Sequence, residues 1–257
     1  MSFFKRDSGE RSYQLPEAPI AGRIRVVDRI GHKDGMFKKG AEDHYFSVGR
    51  SALEAIRLAM LAARREDCRT ILDLPCGHGR VLRALKGAFP RANFTACDLN
   101  RAGVDFCVEN FGAIGDYSDP EPGKIQLAGP YDLIWSGSLL THLSEGPYVE
   151  FLNLFAKLLS PGGIFVATTH GRHVAARLRA GKHTYRLAPE SLPGVVAQYD
   201  AHGFGYADYP GTGGYGISVN TPEWLLGKVG EIEGLRVVIF SERFWDGHQD
   251  VIACMKV

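Results

Sequence analysis

Residues 70–86 (TILDLPCGHGRVLRALK) join a strand-like run to a helix-like run through a turn that contains two glycines. The β-branched and aliphatic residues at 70–74 are typical of a buried strand, and residues 81–86 have helical spacing. Gly77 and Gly79 stand at the mouth of the helix, where glycine lets the backbone approach a ligand closely. The unit therefore predicts a cradle for a nucleotide or nucleoside.

The absence of a third glycine in this loop argues against a dinucleotide as its ligand. A dinucleotide-binding loop requires a third glycine, and Leu82 occupies that position here. The sequence also has no second glycine-rich turn of this kind. Both observations argue against NAD.

Strand-like and helix-like segments alternate through most of the chain. Strands are predicted at 70–74, 93–98, 113–118, 131–136, 164–169, 235–240 and 250–255. Helices are predicted at 45–64, 81–86, 101–110 and 147–159, and a turn is predicted at 160–163, before the fifth strand. A further helix is predicted to begin after Thr221, which can serve as its N-cap, with Pro222 at the first helical position. This alternation implies an α/β fold with a doubly wound, mostly parallel seven-stranded sheet, and the short last connection implies an antiparallel C-terminal edge hairpin.

Two regions fall outside this alternation. Residues 1–42 are polar and carry Gly31, Gly35 and Gly40, which interrupt any helix, so we interpret them as an N-terminal arm or lid. Residues 43–257 then form the main domain. Within it, residues 172–220 are rich in Gly, Pro and Tyr, and we interpret them as a cap inserted after the fifth strand that binds substrate.

Composition excludes several classes of protein. The chain has 257 residues, of which 45% are hydrophobic and 23% charged, so it can bury a full core. Its net charge of +1 gives no global attraction to nucleic acid or to an anionic membrane. The start has no apolar signal core and no run approaches the ~20 apolar residues of a membrane span, so we expect a cytoplasmic protein. Five cysteines without a C-x-x-C pair favour buried free thiols, and no metal site is expected.

Four segments, taken together, resemble one enzyme family. Residues 73–80 (DLPCGHGR) resemble the first motif of the class I (Rossmann-like) S-adenosylmethionine-dependent methyltransferases, and Asp98 ends the second strand where that family has a carboxylate. Residues 131–142 (YDLIWSGSLLTH) are similar to the family's fourth-strand motif and residues 158–165 (LLSPGGIF) to its entry into the fifth strand. The four occur in the family's order, which makes the resemblance specific.

The resemblance implies that S-adenosylmethionine is the cofactor and S-adenosylhomocysteine the product. It implies that Asp73 serves the methionine ammonium and that Asp98 holds the ribose hydroxyls, for which a charged acceptor is suited. The other residues it places at the cofactor are Pro75, Gly77, Gly79, Leu99, Ser118, Asp119, Ser136 and Gly137.

The acceptor side is predicted from general chemistry. An oxygen or amine acceptor must lose a proton, and histidine is suited to that task near neutral pH. His142 and His170 follow strands at the edge of the sheet where ligands bind and are the candidate catalytic residues, with His44 and His248 also considered. His142 could instead cap or pack the next helix.

Three tyrosines are candidates for contact with the acceptor. Tyr209 and Tyr215 lie in the aromatic part of the predicted cap, where they either line a pocket or form the cap's own small core. Tyr45 stands at the predicted start of the first helix, where it either closes over the ligand or belongs to a solvated helix start.

The sequence thus favours methyl transfer to an oxygen or nitrogen of a small-molecule acceptor, such as a metabolite or a sugar-like compound. Residues 131–142 lack the Asn/Asp-Pro-Pro-aromatic sequence of many nucleic-acid amino methyltransferases, so nucleic acid is disfavoured. The alternatives are a non-catalytic module of the same fold that binds the cofactor or another protein, and, further off, an aminopropyltransferase. The oligomeric state is open.

Overall fold

The computed structural model describes residues 5–7, 10–12, 18, 20 and 22–257. The strands are β1 Lys5–Asp7, β2 Glu10–Ser12, β3 Thr70–Asp73, β4 Asn93–Asp98, β5 Ile114–Tyr117, β6 Tyr131–Ser136, β7 Leu159–Thr169, β8 Phe204–Asp208, β9 Gly216–Asn220, β10 Leu235–Trp245 and β11 Gln249–Lys256. The helices are α1 Glu42–Ala63, α2 Leu82–Ala88, α3 Arg101–Phe111, α4 Glu145–Leu158, α5 Arg172–Arg179, α6 Leu192–His202 and α7 Pro222–Gly230.

One seven-stranded sheet organises the main domain. Its strand order is β10-β11-β7-β6-β3-β4-β5. The pairs among β3, β4, β5, β6 and β7 are parallel, whereas β11 runs antiparallel to both β7 and β10. The predicted fold class, including the antiparallel C-terminal hairpin, is confirmed.

Each face of this sheet carries its own hydrophobic core. One core packs α1, α2 and α3 against side chains such as Ile71 and Trp135. The other packs α4 and α7 against the alternate side chains, such as Leu72 and Ile134. Because successive residues of a strand point to opposite faces, burial on both faces explains why these strands are almost continuously apolar in sequence.

Two boundaries differ from the sequence prediction. The sequence analysis predicted a turn at 160–163 before the fifth strand, and this start of the strand is wrong, because β7 begins at Leu159 and includes these residues. Tyr131 pairs with Leu159 and Leu133 with Ile164, so the extra residues form an irregularity within the strand, where Gly162 takes a φ of +70°. At the other boundary, α1 begins at Glu42, which places Tyr45 inside its first turns.

Residues 172–220 lie between β7 and α7 and contain α5, α6 and the antiparallel pair β8–β9. Their apolar side chains, among them Val174, Leu178, Val195 and Val219, form a separate cluster. The segment is joined to the main domain by hydrogen bonds, including one from the Asn220 backbone NH to the His170 carbonyl. Its interpretation as a substrate cap stays a prediction.

The arm predicted at 1–42 is described only in part. Residues 1–4, 8, 9, 13–17, 19 and 21 lie outside the described residues. Residues 5–7 and 10–12 form the short pair β1–β2, and residues 22–41 form turns and extended backbone.

All five cysteines are buried and free, as the sequence predicts. Across the described part of the chain, no helix is both long enough and apolar enough to cross a membrane.

Candidate active site

A cavity of about 530 Å³ opens at the carboxyl ends of the central strands. Asp73 of β3, Asp98 of β4 and Trp135 of β6 line it, together with His170, which follows β7. This is the edge at which open α/β sheets bind ligands. The cavity continues under residues 172–220, which contribute side chains to its opposite wall.

The two glycines of the loop between β3 and α2, Gly77 and Gly79, have different structural roles. Gly77 has a φ of +51°, and a Cβ added there would meet no atom within 4 Å among the described residues, so this position faces open space in the cavity. Gly79 has a φ of +73°, and a Cβ there would collide with the ring of Phe111. Gly77 thus fits the predicted close approach of a ligand, while Gly79 allows α3 to pack against the loop.

Asp73 is the least satisfied polar group of the cavity. Its side chain is 1% exposed, and neither carboxylate oxygen has a hydrogen-bond partner among the described residues. Burial, followed by the nearby charge of Asp98, raises the pKa of Asp73 well above its usual value. A buried carboxylate without a partner is costly, so a cationic ligand group is its natural complement.

Asp98 connects the second strand to the loop. Its Oδ2 accepts a 2.7 Å hydrogen bond from the Gly77 NH and its Oδ1 a 2.8 Å bond from the Asn100 NH. Each carboxylate oxygen keeps capacity for a further donor. Asp98 can therefore order the loop and still accept hydroxyl groups from a ligand.

The other predicted cofactor residues take different places. Pro75 and Gly137 line the cavity, and a Cβ on Gly137 would come within 2.9–3.0 Å of the Trp245 and Trp135 rings. Leu99 is 58% exposed beside Asp98, and Ser136 is fully buried.

Ser118 and Asp119 follow β5 and do not contribute to the cavity lining among the described residues. The Ser118 NH donates to the Asp98 carbonyl, and Asp119 Oδ1 accepts from the Glu121 NH. These bonds hold the loop beside Asp98, near where the family resemblance expects the adenine.

Distant segments supply cavity residues that the sequence reasoning missed. Trp245, at the end of β10, packs edge-on against Trp135 with ring centroids 5.4 Å apart. Gln249 donates to the Ser138 hydroxyl at 2.8 Å and accepts from Thr168 at 2.6 Å. Arg80 lines the cavity with its guanidinium 5.8 Å from the Trp245 ring centroid.

His142 is held in one orientation. It ends a 3₁₀ turn, Leu140–His142, directly after β6. Its Nδ1 lies 2.8 Å from the Gly216 carbonyl oxygen and 3.0 Å from the Tyr209 hydroxyl. Since a carbonyl can only accept, Nδ1 carries the proton and the neutral ring has its lone pair on Nε2. Burial lowers the pKa of His142, and the charge of Arg186 lowers it further.

His170 lines the same cavity but differs in electrostatics. It is 4% exposed, and its Nδ1 has no hydrogen-bond partner among the described residues. Burial, with smaller contributions from His142 and His248, lowers its pKa to about 3. His170 is therefore a neutral and weakly basic ring at physiological pH.

The remaining histidine candidates, His248 and His44, differ in location. His248 lines the cavity and stacks on Tyr185, with centroids 5.6 Å apart and an interplanar angle of 25°. His44 lies near Asp246 at the surface, with 3.7 Å between Nε2 and Oδ2. In the described part of the chain no group of three or more His, Cys, Asp or Glu residues could hold a metal ion.

The three predicted tyrosines separate into two locations. Tyr209 and Tyr215 line the cavity, with ring centroids 5.9 and 4.9 Å from that of His142. Tyr45 lies outside the cavity lining. Its buried hydroxyl donates to Asp34 Oδ2 at 2.6 Å and accepts from Arg83 at 3.2 Å, so it stabilises the arm instead of facing the acceptor.

Comparisons with known proteins agree with the motifs and the fold. Residues 72–165 match the family profile of a methyltransferase domain. The chain is 27% identical over 197 residues to the ubiquinone biosynthesis O-methyltransferase of Caulobacter sp. (strain K31), covering 67% of this chain and 71% of that protein. It is 25% identical over 197 residues to the malonyl-[acyl-carrier protein] O-methyltransferase of Hahella chejuensis (strain KCTC 2396), covering 66% and 70%.

A solved structure shows the same fold. The chain superposes with a TM-score of 0.56 on the crystal structure of a S-adenosylmethionine-dependent methyltransferase from Clostridium acetobutylicum ATCC 824. The match covers 80% of this chain and 91% of that one at 11% identity, which is evidence for the fold alone. Together, the ordered motifs, the sheet topology and the methyltransferase-domain match at residues 72–165 make the chain similar to S-adenosylmethionine-dependent methyltransferases and support an enzyme that uses this cofactor.

Proposed function

We propose that the chain methylates an oxygen or nitrogen atom of a small-molecule acceptor that binds under residues 172–220, with His142 as the general base. The observation that carries this proposal is the orientation of His142 in the cavity. Its Nδ1 is committed to the Gly216 carbonyl, which leaves Nε2 to accept a proton.

The cofactor half of the cavity fits S-adenosylmethionine. Asp73 offers a buried carboxylate without a partner to an ammonium group, Gly77 offers open space to a closely approaching ligand, and Asp98 offers acceptors to hydroxyl groups. S-adenosylmethionine supplies a methyl group that its sulfonium already activates. The protein therefore has mainly to align the acceptor and remove its proton.

His142 is the better of the two candidate bases. A general base is most effective when its pKa lies near the working pH. Burial lowers the pKa of His170 to about 3, far below that range, and a backbone hydrogen bond at Ser218 that favours the protonated ring does not offset this effect. His142 instead has a carbonyl on Nδ1 that favours its protonated form, which offsets part of the effect of burial.

A small acceptor is favoured by the size and the walls of the cavity. The volume of about 530 Å³ must hold the cofactor as well as the acceptor. The wall near His142 contains the rings of Tyr209 and Tyr215, which are suited to a flat or apolar molecule. Both curated relatives are named as O-methyltransferases, which favours oxygen as the methylated atom.

The proposal is tested by measuring S-adenosylhomocysteine formation from S-adenosylmethionine with a panel of phenols, carboxylic acids, alcohols and amines. Mass spectrometry then locates the added methyl group. We expect a product methylated on oxygen or nitrogen. Methylation on carbon or sulfur alone, or turnover only on a macromolecule, would contradict the proposed acceptor class.

Substituting His142 tests its role as base. In His142→Asn the side-chain NH₂ can keep the bond to the Gly216 carbonyl, but no group remains to accept a proton. We expect kcat to fall by about 10²–10⁴-fold with the Kd for S-adenosylhomocysteine unchanged. His202→Asn is the matched control, because His202 is exposed at the end of α6. Normal kcat in His142→Asn would remove it from the mechanism.

A further inference from the structure

Charge is distributed unevenly along the cavity wall. The three carboxylates of the lining, Asp34, Asp73 and Asp98, all belong to the arm or to the ends of β3 and β4. The lining residues from the described segment 172–220 include one charged side chain, Arg186, and no carboxylate. The half that would hold the cationic cofactor thus has three carboxylates and one guanidinium, that of Arg80, whereas the half that would hold the acceptor has Arg186 and no carboxylate.

The backbone at Arg186, which lines the cavity, adopts an unfavourable conformation. Tyr185 and Arg186 are consecutive non-glycine residues with positive φ, +52° and +70°. Both line the cavity, and the next residue, Leu187, is buried in the cluster of the cap segment. Left-handed backbone at two such residues is unfavourable and recurs at ligand-binding sites.

The charge of Arg186 has no acidic partner within the part of the chain that the structure describes. Among the described residues no carboxylate oxygen lies within 4.0 Å of its guanidinium, which instead lies 5.2 Å from the centroid of the Tyr209 ring. The same charge acts on the residues around the candidate base. It adds to the burial that lowers the pKa of His142, and it opposes the burial that raises the pKa values of Tyr209 and Tyr215. Arg186 is therefore an unneutralised cation beside the position proposed for the acceptor.

A second cation reinforces this polarity. Arg177 of α5 opposes the burial that raises the pKa of Tyr185, and it adds to the burial and the His173 charge that lower the pKa of His248; both residues line the cavity. Its Nε is buried and has no hydrogen-bond partner among the described residues. Three histidines of the lining, His142, His170 and His248, have pKa values lowered by burial, so they add little charge of their own at neutral pH.

We propose that Arg186 binds an oxyanion group of the acceptor, a carboxylate or a phosphate, and thereby selects acidic ring compounds as substrates. This inference rests on the proposed function, since it concerns the acceptor of the same site. A guanidinium is suited to such groups, because its fork of NH donors matches two oxygens at once. The tyrosine rings beside it can pack against the body of the molecule.

The test is calorimetry on the full chain saturated with S-adenosylhomocysteine. The probes are 4-hydroxybenzoate, 4-hydroxyphenyl phosphate and the neutral 4-hydroxybenzyl alcohol. We expect at least one anionic probe to bind about 10–100-fold more tightly than the neutral one, as expected for a charge-assisted hydrogen bond, and its affinity to fall with added salt. The two anions distinguish a carboxylate from a phosphate site.

Substitutions of Arg186 test whether its side chain causes the preference for anionic probes. Arg186→Met should abolish the preference for the anion without changing the Kd for S-adenosylhomocysteine, and Arg186→Lys should retain part of it. Lys182→Met is the matched control, because Lys182 is exposed in the same segment and does not line the cavity. It should leave the preference intact.

Three results would overturn the inference: equal affinity for neutral and anionic probes, no binding of either anion, or an anion preference that survives in Arg186→Met. If S-adenosylhomocysteine itself fails to bind to the folded wild type, the proposed function fails first. That outcome is therefore distinguishable from the failure of the Arg186 inference alone.

Discussion

At the scale of single residues, Gly77 shows how the cofactor loop combines a left-handed backbone conformation with an open space. Its φ of +51° is one that residues other than glycine rarely adopt, and the direction of its missing side chain is free of protein atoms among the described residues. Asp98 holds its NH at 2.7 Å. A side chain at this position would project into the cavity.

Gly77→Val should therefore lose measurable binding of S-adenosylhomocysteine in calorimetry. The matched control is Gly112→Val, because Gly112 has a similar φ of +63° and open space but caps α3 away from the cavity. Both variants should lose at least about 1–2 kcal/mol of unfolding free energy from backbone strain. Wild-type affinity in folded Gly77→Val would exclude this loop as the cradle.

Site residues that belong to a sequence motif could be predicted, whereas those that reach the cavity only through tertiary packing could not. Asp73, Gly77 and Asp98 belong to a short motif on adjacent strands, so their arrival at one cavity could be expected from the fold. Arg186, Trp245 and Gln249 come from segments without a recognisable motif and reach the cavity through tertiary packing. One signal was available for Trp245 and Gln249, since they lie in the connection between the two predicted strands of the last hairpin.

At the scale of elements, α2 fixes the described part of the arm to the cofactor loop. The buried Arg83 of α2 donates to the carbonyls of Val27 and Arg29 in the arm and of Gly79 in the loop, at 2.9–3.0 Å. It also donates to the Tyr45 hydroxyl, which in turn donates to Asp34 at the cavity wall. Arg83 thus connects the arm, α1 and the loop.

Arg83→Met keeps the length of the side chain but removes these donors, so the carbonyls of Val27 and Arg29 lose their hydrogen bonds to α2. We expect a loss of about 3 kcal/mol of unfolding free energy, at the upper end of the usual range for one substitution. Amide hydrogen exchange should also become faster in residues 22–34. Arg57→Met, at an exposed position of α1, serves as the control. Unchanged exchange in the arm would show that Arg83 does not hold it.

Periodicity predicted the elements of the main domain well because the central strands β3, β4, β6 and β7 are largely buried on both faces, whereas the helices have a buried face and an exposed one. Thr221, for example, caps α7 by accepting from the Trp224 NH, as its position before Pro222 indicates. Residues 172–220 were harder to interpret. Their short helices and the pair β8–β9 pack around a small core of their own, so the long-range contacts, and not a repeating pattern, decide their structure.

At the scale of the whole molecule, the buried groups of the cavity make stability depend on pH. The pKa of His170 falls from its usual 6.5 to about 3 on folding. Between these values the unfolded chain binds one proton more than the folded chain at this site, so stability falls as the pH is lowered through that window. Asp250, whose pKa is raised to about 6 by burial, acts in the opposite direction between 3.8 and 6.

The contribution of His170 can be isolated by comparing the wild type with His170→Asn, since Asp250 is common to both. As the pH falls below 6.5, the wild type should lose up to about 1.4 kcal/mol per pH unit relative to the variant. Urea unfolding at several pH values measures this difference. Parallel pH curves for the two proteins would show that His170 is not buried as a neutral ring.

The most direct test of the account is calorimetric titration of the wild type and of Asp98→Ala with S-adenosylhomocysteine, with NAD titrated in parallel. We expect the wild type to bind S-adenosylhomocysteine but not NAD, and Asp98→Ala to bind it about 10–100-fold more weakly, as expected for the loss of charge-assisted hydrogen bonds. Failure of the folded wild type to bind S-adenosylhomocysteine, or equal affinity in Asp98→Ala, would contradict the assignment of this cavity to the cofactor.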